Sequence, residues 1–159
     1  MKILVVQIGR FGDMILTTPL LLGIRDLYPQ AEIHVLASHR NYEVLQGLDC
    51  VDVIHVYKKT PVEVFKVVSD LRSLNFDLLL DPKDHSSKES SMIAKLVNAA
   101  TSVGYNHEQN KLYTFGIPSN KENDDHLPPV HAVERNMNVL KALGHEIPAK
   151  RPLVPVSYT

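Results

Sequence analysis

At 159 residues the chain has the length of one domain and enough material for a proper core. Its 17 Lys and Arg against 18 Asp and Glu give a net charge of -1. That balance excludes the basic excess expected of a nucleic-acid-binding protein, so any anion site must be local. Cys50 is the only cysteine, which excludes an internal disulfide and a cysteine zinc site and reads as a buried structural thiol.

No apolar run approaches the ~20 residues that span a bilayer, and Met1-Lys2 leads straight into a strand pattern with no signal peptide. The expected location is cytoplasmic, with any membrane lipid met from the surface.

The run Ile3 to Ile8 is apolar apart from Gln7 and is bounded by Gly9, the signature of a strand covered on both faces. Without a Cβ, Gly9 and Gly12 can take positive φ and let another group come close, and Asp13 follows at once. This is G-x-x-G-D, not the G-x-G-x-x-G of dinucleotide binders. With Asp13 as N-cap, Pro19 would fall inside the first helix and kink it. With Thr18 as N-cap, Pro19 would sit at its favoured first position. The sequence leaves both open.

Glu32 to Ala37 reads as the second strand, Asn41 to Leu48 as a short helix and Val51 to Val56 as the third strand. Pro61 opens a helix whose apolar face carries Val64, Phe65, Val67, Val68 and Leu71. Asp77 to Leu80 follows as strand four, Ser90 to Ala99 as a helix and Ser102 to Tyr105 as strand five. The segment 106–127 is polar, with Lys111 to Ile117 as an extra strand and Asn120 to Asp125 as a loop. From Pro129 the spacing of Val130, Val133, Met137 and Leu140 gives a helical stripe that Gly144 closes. Pro148, Pro152 and Pro155 then give the remainder the proline spacing of a linker. The alternation predicts an α/β domain over 1–145, a doubly wound parallel sheet with right-handed crossovers, and the start of an interdomain linker over 146–159.

In open parallel sheets ligands sit outside the carboxyl ends of the strands. Gly9 to Asp13 lies there after strand one. Ser38, His39 and Arg40 lie there after strand two, and Tyr57, Lys58 and Lys59 after strand three. Lys83, Asp84, His85 and Lys88 follow strand four, and Asn106 and His107 strand five. Asp13 is expected to border the largest crevice. The cations on this rim suit an acceptor that carries carboxylates or phosphates, though each also reads as an ordinary solvated loop charge. Eight histidines do not make a metal site: His126 and His131 lack helical i, i+4 spacing, and no His-Glu-x-x-His or His-x-His motif occurs. Ser86-Ser87 and Ser90-Ser91 are not in a Gly-x-Ser-x-Gly elbow, which argues against a hydrolase.

Taken together, Lys2 to Pro29 resembles the opening of glycosyltransferase family 9, the ADP-heptose:lipopolysaccharide heptosyltransferases, whose first strand runs into a Gly-Asp pair and a Thr-Pro-Leu-Leu helix. Here these are Gly12-Asp13 and Thr18-Pro19-Leu20-Leu21. Later segments agree: Leu27 to Ile33 with the step into strand two, Phe76 to Asp81 with strand four, Val103-Gly104-Tyr105 with strand five, and His131 to Asn136 with the closing helix. Family members run to about twice this length.

The resemblance implies the N-terminal, Rossmann-like, acceptor-binding domain of a bacterial GT-B enzyme. The second domain, which binds the donor, is absent from this chain. The implied reaction is an inverting transfer of heptose, or a related sugar, from a nucleotide-sugar to the lipopolysaccharide core. It implies no cofactor beyond that co-substrate, ADP-heptose, held mainly by the absent domain. It implies Asp13 as the general base, and the strand-end placement puts Gly9, Gly12, Arg10, Arg40, Lys58, Lys83 and His85 around the acceptor. The isolated half is expected to be inactive and to self-associate. It would work at the inner face of the inner membrane.

The residues alone leave Asp13 open between base and helix cap. An ordinary aspartate, at ~3.9, is a feeble base unless burial against a bound sugar raises it. Two other readings remain: a dinucleotide-binding oxidoreductase domain, which would place an acid at the end of strand two where Ala37, Ser38 and His39 stand, and a non-catalytic binding module.

Overall fold

The structure, a computed structural model, describes residues 1–84, 87–106, 112–118 and 131–154. Its sheet is built from β1 (Lys2–Gln7), β2 (Glu32–Ser38), β3 (Val53–Tyr57), β4 (Leu78–Asp81), β5 (Thr101–Asn106) and β6 (Phe115–Pro118), in the order β3-β2-β1-β4-β5-β6. Every pairing is parallel, as the doubly wound, Rossmann-like reading requires. The helices are α1 (Phe11–Leu27), α2 (Pro61–Ser73), α3 (Lys88–Val97) and α4 (Ala132–Lys141).

Alternation along β1 decides the two cores. Ile3 and Val5 face a layer that includes Met14, Leu20, Leu21 and Ile24 of α1 and Met137 and Leu140 of α4. Leu4 and Val6 face the other layer, with Val68 and Leu71 of α2 and Ile93, Ala94 and Val97 of α3. A strand buried on both faces must be apolar along its buried length, and after Lys2 at its edge β1 carries only one polar side chain, the buried Gln7.

Several boundaries differ from the sequence reading, each for a local reason. The helix expected over Asn41 to Leu48 is a single 3₁₀ turn, Tyr42–Leu45, because the Asn41 side chain turns back into the loops after β1 and β2 instead of capping. Strand three starts at Val53, two residues late, where the Asp52 carboxylate accepts the Ile33 N–H at 2.7 Å. Strand four is shifted one residue onward, to Leu78–Asp81, and Asp77 just before it bonds β1 through its N–H and its carboxylate, which accepts the Lys2 N–H. The third helix starts at Lys88, where the Ser87 hydroxyl caps it by accepting the Ser90 N–H, and ends at Asn98 in the left-handed conformation. Of the extra strand expected over Lys111 to Ile117, the pairing with β5 covers Phe115 to Pro118. Lys111, the loop 120–125 and the helix start at Pro129 and Val130 lie outside the described residues.

The first helix resolves its proline conflict in neither expected way. Arg10 is the N-cap, Asp13 is at N3, and Pro19 lies inside an unbroken helix. Pro19 has no N–H to give the Ile15 carbonyl. The Thr18 hydroxyl donates there instead, at 2.7 Å. The glycine expectation is corrected as well: only Gly47 and Gly144 take positive φ, so neither Gly9 nor Gly12 does.

Beyond α4, Gly144 at φ +89 turns the chain back along α1. Ile147 packs against Gly23, Lys150 pairs with Asp26, and the Leu153 N–H reaches the Thr18 hydroxyl at 2.7 Å.

Candidate active site at the strand-order switch

The chain runs outward from β1 to β3 and then returns to β4 on the other side of β1. At the carboxyl ends of β1 and β4 the two following loops therefore diverge and leave a crevice, where ligands bind in open α/β sheets. The lining residues come from both loops and from α4: Gln7, Asp13 and Leu16, then Pro82, Lys83 and Asp84, then Ala132, Arg135 and Asn136, around a pocket of about 70 Å³. It is not the largest hollow. An open depression of about 540 Å³ lies between β6 and α4. The expectation that Asp13 would border the largest crevice is corrected, because Arg135 and Asn136 of α4 narrow the switch-point pocket.

Asp13 stands exposed in the first turn of α1 and its Oδ2 accepts the Arg10 N–H at 2.9 Å. This is half of a capping box, since arginine has no acceptor to return the bond. Among the described residues no hydrogen bond occupies Oδ1. Gly9 leaves the room for this carboxylate: a Cβ there would lie 2.6 Å from Asp13 Oδ2 and 3.1 Å from Gln7 Oε1. Gly12, with nothing within 4 Å of a Cβ, is not constrained in this way.

The loop that carries Gly9 is held from β2. Buried Asn41 donates through Nδ2 to the carbonyl of Gln7 at 2.9 Å and that of Gly9 at 3.3 Å, and the Ser38 hydroxyl donates to the Gly9 carbonyl at 2.9 Å. Beneath Asp13, the Gln7 amide donates to the Thr17 hydroxyl at 2.9 Å, and that hydroxyl donates to the Asp13 carbonyl at 2.8 Å. Asn136 of α4 joins by donating to the Leu16 carbonyl at 2.8 Å.

On the opposite wall the Asp81 carboxylate is fully buried. It accepts the Ser90 hydroxyl, the Tyr113 hydroxyl at 2.6 Å and the Lys83 N–H at 3.2 Å. Burial raises its pKa, and the three donors oppose the rise. Burial and the facing Asp81 likewise push Tyr113 up. This cluster fixes the backbone from which Lys83 reaches the pocket. The Arg135 guanidinium pairs with Asp84, and its carbonyl accepts the Tyr105 hydroxyl at 2.6 Å, so α4 is fastened to β5. Burial pushes Tyr105 up to about 12.

Of the expected site residues, Asp13 and Lys83 line the pocket together with Asp84, and Gly9 shapes it. Arg10 contributes a backbone N–H, with its side chain exposed. Arg40 and Lys58 are exposed after β2 and β3 and do not line it, because those strands lie on the side of β1 away from β4. Gly12 is in the first turn of α1, outside the lining. His85 and His107 lie outside the described residues. Arg135, Asn136 and Asn41 escaped the sequence reading as site-building residues, whereas Ser38 was expected on this rim and holds the Gly9 carbonyl. The one available signal is Gln7, the single polar side chain in the otherwise apolar run Ile3 to Ile8. No group of three metal-ligating side chains occurs among the described residues.

No family model matches the chain. It is 28% identical over 148 residues to lipopolysaccharide heptosyltransferase 3 of Escherichia coli strain K12, a match that covers 84% of this chain and 40% of that protein. A second Escherichia coli lipopolysaccharide heptosyltransferase 3 is 26% identical over 145 residues, with the same coverage. In fold the chain matches the Escherichia coli ADP-heptose lipopolysaccharide heptosyltransferase II, with a TM-score of 0.76 at 24% identity, over 99% of this chain and 47% of that one. It matches a glycosyl transferase family 9 protein from Veillonella parvula with a TM-score of 0.69 at 22% identity, over 90% and 41%. The chain is thus similar in sequence to lipopolysaccharide heptosyltransferases and shares the fold of these solved structures, and it spans about 40–50% of the length of the proteins it matches.

Proposed function

We propose that this chain is the acceptor-binding half of an inverting glycosyltransferase that moves a heptose, or a related sugar, from a nucleotide-sugar to the lipopolysaccharide core, with Asp13 as the general base. The observation that carries this reading is the position of Asp13. It is a carboxylate at the strand-order switch, with no hydrogen bond to Oδ1 among the described residues and with Lys83 lining the same pocket. The matched relatives are named as heptosyltransferases, which supports the sugar and the acceptor class.

In the reaction so proposed, an acceptor hydroxyl donates to Asp13 Oδ1 while its oxygen attacks the anomeric carbon from the face opposite the leaving group. The proton passes to Asp13, the new C–O bond forms with inversion, and the nucleoside diphosphate departs with the bonding electrons. Arg10 and the Gly9 loop hold the carboxylate in place. Lys83 offers charge to the acidic groups of the core, while Arg135 is held by Asp84 at the pocket wall. The nucleotide-sugar, the only co-substrate in this reading, is bound by a second domain, to which residues 146–159 would lead. The oxidoreductase alternative is less well supported: the β2 end has no acid for a ribose, and Ser38 and Asn41 are engaged with the β1 loop.

Calorimetric titration of this chain tests the division of labour. A deacylated core oligosaccharide should bind, less tightly to Lys83→Gln, while ADP-heptose should show no submillimolar affinity. Submillimolar ADP-heptose binding, or no binding of the oligosaccharide, would overturn it. Among the described residues no helix is long and apolar enough to cross a membrane. In this reading the protein works in the cytoplasm at the inner face of the inner membrane, and the half also self-associates.

A further inference from the structure

Among the described residues, four of the eight exposed large apolar side chains lie on one pair of neighbouring helices. Val62 and Phe65 of α2 are 77% and 78% exposed, and Met92 and Leu96 of α3 are 43% and 41% exposed. Arg72 of α2 ties the pair by donating to the Leu96 carbonyl at 3.1 Å. The inward faces of both helices are already used, with Val68, Leu71, Ile93 and Val97 packed on the sheet. The exposed apolar groups are therefore surplus to the core. A Phe and a Val left almost fully in water within one helical turn mark a contact surface.

The charges around them are segregated. Lys58, Lys59, Lys66, Arg72, Lys88 and Lys95 all lie on these two helices or on the turn leading into α2, against the acids Glu63, Asp70 and Glu89. Glu89 is paired with Lys59 at 2.8 Å. A helical period of 3.6 puts Val62, Phe65, Lys66, Ser69 and Arg72 on one face, and Glu63 and Asp70 fall to its side. In a chain of net charge -1 this face is cationic. Apolar residues with lysines beside them, lying along the surface and not long enough to span, form the pattern of a helix that rests in an anionic lipid interface.

Placement gives the surface a purpose. Both helices begin at the carboxyl ends of β3 and β4, on the rim that also carries Asp13, so Val62, Phe65, Lys58 and Lys88 stand at the same end of the sheet as the pocket. We propose that the outer face of α2 and α3 docks on an anionic phospholipid bilayer, with Phe65 and Val62 inserted at the headgroup level and the surrounding cations on the lipid phosphates. A lipid-linked acceptor held in that bilayer would then meet the pocket from the side. The docking rests on the reading that the protein works at the inner face of the membrane and assigns the surface that does so, and it does not depend on sugar transfer.

The test is co-sedimentation of this chain with vesicles of phosphatidylglycerol and phosphatidylcholine, which carry no saccharide, so its outcome is independent of any sugar binding. Binding is expected to vesicles rich in phosphatidylglycerol and to fall steeply with salt. Val62→Gln with Phe65→Gln should weaken it at least tenfold, and Lys66→Glu about fivefold or more. Melting temperatures should be unchanged, because none of the three side chains packs inside. Equal binding to pure phosphatidylcholine, no binding to either vesicle, or unaltered binding of the double variant would overturn the proposal. So would a dimer in solution that the double variant dissolves, since a second copy would then be what covers the face.

Discussion

A Cβ on Gly9 would stand 2.6 Å from Oδ2 of Asp13. The glycine at the end of β1 is therefore there for the carboxylate and not for a left-handed backbone. Gly9→Ala must push Asp13 or Gln7 aside, which should cost about 1–3 kcal/mol by overpacking and lower the melting temperature. Gly12→Ala, with open space around it in the first turn of α1, should raise stability by about 0.5–1 kcal/mol. Equal melting temperatures for the two variants would mean that the Gly9 contact is not rigid.

Asp13→Asn separates base from cap. Asparagine still offers an oxygen to the Arg10 N–H, so stability should change by less than about 1 kcal/mol. If the proton acceptor is essential, the transfer rate of a full two-domain protein carrying this change should fall by ~10²–10⁴, with acceptor affinity unchanged. A rate within a few-fold of the parent would reduce Asp13 to a structural residue.

Thr18 stands in for the N–H that Pro19 lacks and also receives the Leu153 N–H. Thr18→Val keeps the shape, leaves the Ile15 carbonyl without its donor and frees the 145–154 segment at one point. The expected cost is about 1–3 kcal/mol in chemical denaturation. Thr18→Ser, which keeps the hydroxyl, should recover most of it.

His55 offers a pH test. Its Nε2 lies 2.8 Å from Nδ1 of His34, whose Nε2 faces Glu32, and there is room for only one proton between the rings. Burial first, and then His34, lower the His55 pKa, while Asp70 opposes. A base with a depressed folded pKa contributes stability that is present above the unfolded value, ~6.5, and lost as pH falls through the folded value. Thermal melts should therefore show the parent losing more stability than His55→Gln between pH 7 and pH 5. Parallel curves would show that the pair does not titrate in that window.

Much of this architecture was legible in the sequence because it follows from burial. A strand with apolar residues on both faces can only be an interior parallel strand, and the run Ile3 to Val6 says so unaided. Pro61 after Thr60 marks the start of α2, since proline's missing N–H costs nothing at N1. Gly12-Asp13 and Thr18-Pro19 carried the resemblance to the heptosyltransferases. What remained hidden depends on contacts between residues far apart in the chain. Asn41 reads as a helix start by local propensity, yet it spends its amide on the Gln7 carbonyl 34 residues away. Arg135 and Asn136 look like ordinary positions on an amphipathic helix, and they reach the Asp13 pocket only because α4 packs beside α1. The order of the strands, which opens the crevice between β1 and β4, has no signature in any single strand. Local propensity and hydrophobic period determined which elements form, whereas the long-range pairing of strands and the docking of α4 decided which side chains meet at Asp13.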